Sequence, residues 1–144
     1  MKPFRFINDK DITSYDVLMQ KYPYKRGTSL QCHISDIHFG VMDAQLEYKI
    51  LKEQYIDRIK DLPLDIISID GDLFNKLDMS NTDSCLYASL LVADIVSICK
   101  NNRKMGIPTV FIILAGTKNH DAGQLRLFYH YLNDPDLDIR IVEQ

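Results

Sequence analysis

The chain has 144 residues, of which 46% are hydrophobic and 26% are charged, and its formal net charge is -3, a composition typical of one soluble globular domain. No apolar run approaches the roughly 18 residues of a membrane span, and the polar, acidic start does not resemble a signal peptide, so we predict a cytoplasmic protein with no membrane contact. The mild acidity excludes a globally basic surface for nucleic acid, and the three widely spaced cysteines argue against a disulfide framework or a zinc cluster.

Residues 1–27 are a mixed segment that we interpret as an N-terminal extension packed on a domain spanning 28–144. The segment ends in KYPYKRG (21–27), where basic and aromatic side chains alternate. This run is a candidate contact for a nucleic-acid backbone, and a solvated surface turn is an equal alternative.

The rest of the chain alternates between short apolar runs and longer stretches with apolar residues at helical spacing. Strands are predicted at 29–35, 64–70, 108–116 and 138–142, and helices at 43–60, 82–101 and 123–132. Strands that are almost entirely apolar are typical of parallel sheets covered on both faces. We therefore predict an α/β fold with a mostly parallel sheet and helices on both faces.

Ligands of such sheets bind beyond the carboxyl ends of the strands, so the three loops that follow the first three strands are the place to look for a site. The first loop carries Asp36 and His38, and a carboxylate beside an imidazole suits zinc, iron or manganese better than calcium. The second carries Asp72 directly after Gly71, and its carboxylate is a candidate bridge between two cations. Asp70, in the strand itself, either points to the opposite side of the sheet from the metals or hydrogen-bonds a metal ligand, and a direct ligand role is the less favoured alternative.

The third loop places Asn119, His120 and Asp121 in a row after a buried strand. The asparagine oxygen is a candidate metal ligand, and the histidine is a candidate acid for a leaving alkoxide or a group that orients the phosphate. We interpret Asp121 as the cap of the following helix, with fixation of the imidazole tautomer as the alternative.

Three segments in chain order carry a family resemblance: HISDIHFG (33–40), IDGDLFN (69–75) and GTKNHD (116–121). They resemble the D-x-H, G-D-x-x-N/D and G-N-H-D/E motifs of the calcineurin-like metallophosphoesterases. The resemblance covers about residues 29–143 and is greatest to the SbcD-type DNA repair exonucleases of bacteria and phages. It implies half of the family's β-sandwich, with the C-terminal half apparently missing.

The resemblance also implies roles for individual residues. Asp36 and His38 correspond to ligands of a first metal, Asp72 to the bridging carboxylate, Asn119 to a ligand of a second metal, and His120 to the catalytic acid. Asn75 takes the last position of the second motif, in a supporting role. Two divalent cations are expected as cofactors, with Mn²⁺ first and Mg²⁺, Fe²⁺ or Zn²⁺ as alternatives.

The function that follows is metal-dependent hydrolysis of phosphodiesters by a water activated between two metals, most specifically as a DNA exonuclease. The alternatives are a phosphomonoesterase or cyclic-nucleotide phosphodiesterase of the same superfamily, or a non-catalytic half-domain that binds or regulates a partner. The implied partners are DNA and either an SbcC-type ATPase or a second chain that completes the metal site. A homodimer is left open.

Two departures from the family pattern qualify these expectations. The third motif is two residues longer than usual, because Thr117 and Lys118 precede Asn119. The family's later histidines, in G-H and G-H-x-H motifs, do not occur in the sequence, and His33 and His130 are interpreted as packing residues. We therefore expect a fragment of a longer protein, or a chain completed by another, rather than a degenerate relative.

Overall fold

The computed structural model describes residues 5–6, 29–75, 82–117, 120–121 and 123–143. Its centre is a sheet in which every neighbouring pair of strands is parallel and the strands follow chain order. The strands are β1 (Arg5–Phe6), β2 (Leu30–Ile34), β3 (Ile66–Asp70), β4 (Val110–Leu114) and β5 (Asp138–Val142). The predicted α/β class with parallel strands is confirmed, and β1 is a short edge strand that the sequence did not indicate.

The helical segments follow the predicted ones closely. They are α1 (Ala44–Leu51), a π-helical segment (Lys52–Ile56), a last turn α2 (Asp57–Ile59), α3 (Thr82–Lys104) and a 3₁₀ helix (Gln124–Asn133). The first helix begins where predicted because the Asp43 side chain accepts a hydrogen bond from Leu46 N at 2.9 Å, which satisfies one of the free N–H groups of the first turn. The third predicted helix is a 3₁₀ helix rather than an α-helix.

The described helices pack against one another, α1 on α3 and α3 on the 3₁₀ helix, and share one core with the sheet. The crossovers between β2 and β5 join parallel strands in sequential order, and right-handed connections of this kind lie on the same side of the sheet. Helices on the second face stay a prediction that the described residues do not test. The strand residues on that side, Ile67, Ile69, Phe111 and Ile113, are each 0% exposed and share one core with residues from α3 and the 3₁₀ helix. The continuous apolar runs had indicated burial on both faces; in β4 only the alternate residues Phe111 and Ile113 are buried, whereas in β3 Ser68 is buried together with Ile67 and Ile69.

The other face of the sheet is only partly covered. Ile66, Val110, Ile112 and Leu114 are half-buried there, whereas Asp70 is exposed. In the described parts of the chain no helix lies over these residues. The core of the described residues therefore sits between the sheet and the layer formed by the described helices.

Buried polar contacts fix the amino-terminal ends of β3 and β4. Asn102, near the end of α3, donates its amide to Leu62 O and to Thr109 Oγ1, both at 3.1 Å. Thr109 in turn donates to Leu64 O at 2.6 Å. These bonds anchor α3 to the segments that lead into both strands, at the edge of the sheet opposite the three candidate loops.

Helix α3 is the described helix that is long and apolar enough to cross a membrane by length and composition alone, with a mean hydropathy of 1.4 over its most apolar window. Leu91, Val92 and Ile95 on this helix are each 0% exposed within the domain core. A core helix meets the same criterion of length and composition, and that is how α3 packs here.

Candidate metal centre

Side chains of Asp36, His38 and Asp72 converge at the carboxyl ends of β2 and β3. His38 Nε2 lies 3.7 Å from Asp36 Oδ1 and 3.9 Å from Asp72 Oδ2. One ligand atom from each residue lies within 4.8 Å of the other two. Donors that share one cation at about 2.1 Å are roughly 3–4.3 Å apart, so small side-chain rotations would bring all three onto a single ion.

The backbone at these three residues is unusual. Asp36, His38 and Asp72 have φ angles of 55°, 53° and 52°, and they are the non-glycine residues with positive φ in the part of the chain that the structure describes. A left-handed conformation is unfavourable for residues with a Cβ atom, by about 1–2 kcal/mol. Such residues cluster at active sites and ligand clamps, where the surrounding structure holds them, so the strain marks the same three residues as the motifs do.

Backbone hydrogen bonds hold the first two loops side by side beyond the end of the sheet. Asp36 N donates to Gly71 O at 3.2 Å, and His38 N donates to Asp72 O at 2.9 Å. Phe39 continues the pairing through an isolated parallel bridge to the second loop. The left-handed residues are therefore fixed by main-chain bonds on both sides, which keeps their side chains aimed at one point.

Asp121 fastens the third loop to the second. Its carboxylate is 0% exposed and accepts hydrogen bonds from Leu73 N (3.3 Å), Phe74 N (3.0 Å) and Gly116 N (2.7 Å). The sequence predicted a helix-capping role, but the 3₁₀ helix has no side-chain cap. Asp121 is instead a buried clamp, because three N–H donors from two loops compensate the desolvation of one carboxylate.

The second and third loops touch through their backbones at Gly116. An ideal Cβ atom placed on Gly116 would lie 2.0 Å from Asp72 Oδ1 and 2.2 Å from Asp72 N. On Gly71, where φ is 93°, it would lie 3.1 Å from Gly116 Cα. The next residue, Thr117, donates its N–H to Asp72 Oδ1 at 2.9 Å. Glycine at 116 therefore allows the approach that orients the Asp72 carboxylate.

His120 lies beside the cluster. Its ring packs edge-on against the ring of His38, with centroids 4.7 Å apart and an interplanar angle of 87°. Its Nδ1 is 2.6 Å from Asn75 O. Because a carbonyl oxygen only accepts, Nδ1 carries the hydrogen, and Nε2 is the nitrogen that can exchange a proton with a ligand. Asn75 thus acts through its main chain, as a support for His120.

Two predicted residues of the third loop cannot be placed in this centre. Asn119, the candidate ligand of a second metal, and Lys118 lie outside the described residues, as does the basic run at 21–27. The structure therefore brings together Asp36, His38, Asp72 and His120, and among the described residues Asp36, His38 and Asp72 could share one cation. The cluster does not by itself select a particular metal.

Asp70 and His33 do not belong to the cluster. Asp70 Oδ2 lies 3.3 Å from His33 Nδ1, and the same nitrogen contacts Ser68 Oγ. Both Ser68 and Asp70 contact His33 through Nδ1. A proton relay across the imidazole would need one partner on each ring nitrogen, so Ser68 and Asp70 do not form one. His33 Nε2 contacts Gln31 Oε1 at 3.0 Å, so these side chains form a polar network on the sheet face away from the helices.

The comparisons with known proteins add no name to this geometry. No family model matches the chain, and no curated protein matches it. The resemblance to metallophosphoesterases therefore depends on the three motifs, and the case for a metal centre depends on the arrangement of their side chains.

Proposed function

We propose that this chain is a metal-dependent phosphodiesterase that acts on DNA in the cytoplasm, with Mn²⁺ as its preferred ion. One observation carries the proposal: the non-glycine residues held with left-handed backbone in the described chain are the three whose donor atoms converge within 4.8 Å, and His120 lies against one of them. Convergent donors beside a proton-exchanging histidine are what phosphoester hydrolysis requires.

The proposed metal ligands come from all three loops. Asp36, His38 and Asp72 would hold a cation, and Asp72 and Asn119 would hold a second. Bound cations of this kind lower the pKa of a coordinated water and neutralise charge on the phosphate. Asp72 Oδ1 is fixed by Thr117 N and its Oδ2 points toward His38, so its carboxylate plane is set before any ligand arrives.

His120 is the proposed catalytic acid. Its Nδ1–H is held by Asn75 O at 2.6 Å, which fixes the orientation of the ring. Nε2 then donates a proton to the oxygen that leaves phosphorus, and it retrieves a proton from solvent for the next turnover. General acid catalysis of this kind contributes roughly 10²–10⁴ in rate.

A specific observation favours a second candidate, a metal-binding half-domain that works only with a partner such as an SbcC-type ATPase or a second chain. Among the described residues three side chains converge, which is enough for one cation and not for two. The sheet face away from the helices is also left half-exposed, as at Ile112 and Leu114. The two candidates differ in whether the chain hydrolyses phosphoesters by itself.

The test measures hydrolysis of end-labelled DNA, bis(4-nitrophenyl) phosphate and 4-nitrophenyl phosphate in Mn²⁺, Mg²⁺, Fe²⁺ and Zn²⁺. We expect cleavage of DNA and of the diester in Mn²⁺, and a loss of about 10² or more in kcat for Asp72→Asn and for His120→Gln. Asp57→Asn and His130→Gln are matched controls at exposed positions and should keep full activity.

Preference for the monoester would support the phosphomonoesterase alternative. Metal-dependent DNA binding with no hydrolysis of any substrate would support the half-domain. Activity that survives Asp72→Asn would contradict both the site and the mechanism.

A further inference from the structure

An apolar groove of about 270 Å³ opens next to the candidate metal centre. It lies between the end of β2, the loop that follows it and the outer side of α1. Its principal lining residues are Ile34, Asp36, Val41, Met42, Ile50 and Leu51. Asp36 is common to the groove and to the metal cluster, so a ligand on the cluster has the groove as its immediate neighbour.

The groove exposes large apolar side chains. Val41 is 63% exposed, Met42 49% and Ile50 45%. Single exposed apolar residues are ordinary, but a contiguous group beside a polar site is typical of a binding surface. Their position next to the cluster indicates a ligand that has both an apolar and a phosphate part.

A buried carboxylate keeps one wall of the groove in place. Glu47, on α1, is 6% exposed, and its Oε1 accepts from Gly40 N at 3.1 Å and from Met42 N at 3.0 Å. These bonds fasten the turn that carries Val41 and Met42 to the helix that carries Ile50. The groove is therefore preformed rather than a gap between loose loops.

The charges in the groove exclude an anionic occupant. Asp36 and Glu47 are its charged lining residues, and both are carboxylates. A phosphate would be repelled inside the groove and attracted to cations at the cluster. A neutral, flat group joined to that phosphate satisfies both environments, because its faces pack on methyl and thioether groups while its polar edge remains in water.

We propose that the groove binds the nucleobase of the nucleotide adjacent to the cleaved phosphate, an inference that rests on the proposed phosphodiesterase function. Packing of a base on apolar side chains tolerates any of the four bases, since each presents a flat apolar face. Ile50 and Met42 are then binding residues that orient the substrate, and no chemistry depends on them.

The test compares the dinucleotide TpT with its two analogues in which one thymidine is replaced by abasic 1,2-dideoxyribose. Removal of one of the two bases should lower kcat/KM about tenfold, and removal of the other should lower it much less. Ile50→Asn should abolish this dependence on the base. Leu46→Asn is the matched control, because Leu46 lies on the same helix, is 46% exposed and does not line the groove.

Equal kcat/KM for the three dinucleotides, or a base dependence that survives Ile50→Asn, would overturn the groove proposal and leave the phosphodiesterase in place. If no dinucleotide is cleaved, binding of 2-aminopurine deoxynucleoside 5′-monophosphate in Mg²⁺ is followed by fluorescence anisotropy. A rise in anisotropy that Ile50→Asn abolishes and Leu46→Asn preserves would support the groove without the hydrolase. Absence of any rise with the wild-type protein would overturn it.

Discussion

Gly116 approaches Asp72 so closely that alanine at this position must displace Asp72 from the candidate metal centre. The added Cβ atom would lie 2.0 Å from Asp72 Oδ1 and 2.2 Å from Asp72 N. Nonbonded contacts of carbon are relaxed at about 3.5–4.0 Å, so one loop must move by more than about 1 Å. Asp72 N belongs to the backbone, and rotation of a side chain cannot relieve that overlap.

The movement breaks two hydrogen bonds to carboxylates, Thr117 N to Asp72 Oδ1 (2.9 Å) and Gly116 N to Asp121 Oδ2 (2.7 Å). Bonds to charged groups contribute about 1.5–3 kcal/mol each. Partial relaxation of the loops favours the low end, so Gly116→Ala should lower the free energy of unfolding by about 3 kcal/mol. Since Asp72 is displaced, affinity for Mn²⁺ should fall about tenfold or more.

Urea denaturation and calorimetric titration with Mn²⁺ measure both effects. Gly106→Ala is the matched control, because Gly106 has a φ of 81° and no atom within 4 Å of the added Cβ. Its cost is the left-handed strain alone, about 1–2 kcal/mol, with no change in Mn²⁺ affinity. A Gly116→Ala protein that binds Mn²⁺ like the wild type and is destabilised by less than about 1 kcal/mol would refute the reasoning.

Three further predictions concern buried groups. Asp121→Ala leaves three N–H donors unsatisfied, so Mn²⁺ affinity should fall at least about tenfold by titration; unchanged affinity would contradict its role as a clamp. Asn102→Ala should lower the free energy of unfolding in urea by about 2 kcal/mol, whereas Asn101→Ala, at an exposed position, should lower it little. Burial raises the pKa of the Cys99 thiol from 9.0 to about 12. Its stabilising effect is therefore complete below pH 9 and is lost as pH rises toward 12, because only the unfolded chain ionises there; denaturation at several pH values should show a smaller alkaline loss for Cys99→Ala.

The positions of the four longer strands and the site's location follow from local patterns in the sequence. β-branched runs such as Ile66–Asp70 and Val110–Leu114 predicted the strands, and Asp138–Val142 was predicted with its observed bounds. Because parallel strands end at one edge, placing Asp36, His38, Asp72 and His120 after successive strands predicted their proximity. Helix α1 began next to its predicted start, with Asp43 as the N-cap.

Other features depend on contacts that no local pattern reveals. The common side of the described helices follows from the sequential strand order, and apolar runs such as that of β4 look alike whether one face or both are covered. The clamp made by Asp121 depends on N–H groups brought from Leu73 and Phe74, far away in the chain. The hydrogen bond between His120 and Asn75 uses a main-chain carbonyl. Every residue has such a carbonyl, so the sequence gives no sign of this bond.

The left-handed backbone at the three metal candidates was also not foreseen. Glycine is the usual marker of positive φ, and the sequence has aspartate, histidine and aspartate at these positions. Asp36 and His38 lie two positions apart and both have a left-handed conformation, which aspartate and histidine adopt more readily than most residues. Main-chain hydrogen bonds to the second loop, which no local pattern reveals, hold them there.

Anomalous scattering from crystals soaked in Mn²⁺ measures directly whether these side chains hold a metal. We predict a peak within roughly 2.0–2.3 Å of one oxygen of Asp36, of His38 Nε2 and of one oxygen of Asp72, and its loss in His38→Gln crystals. A saturating soak that gives no peak at this position, or a peak that persists in His38→Gln without change, would contradict the metal centre.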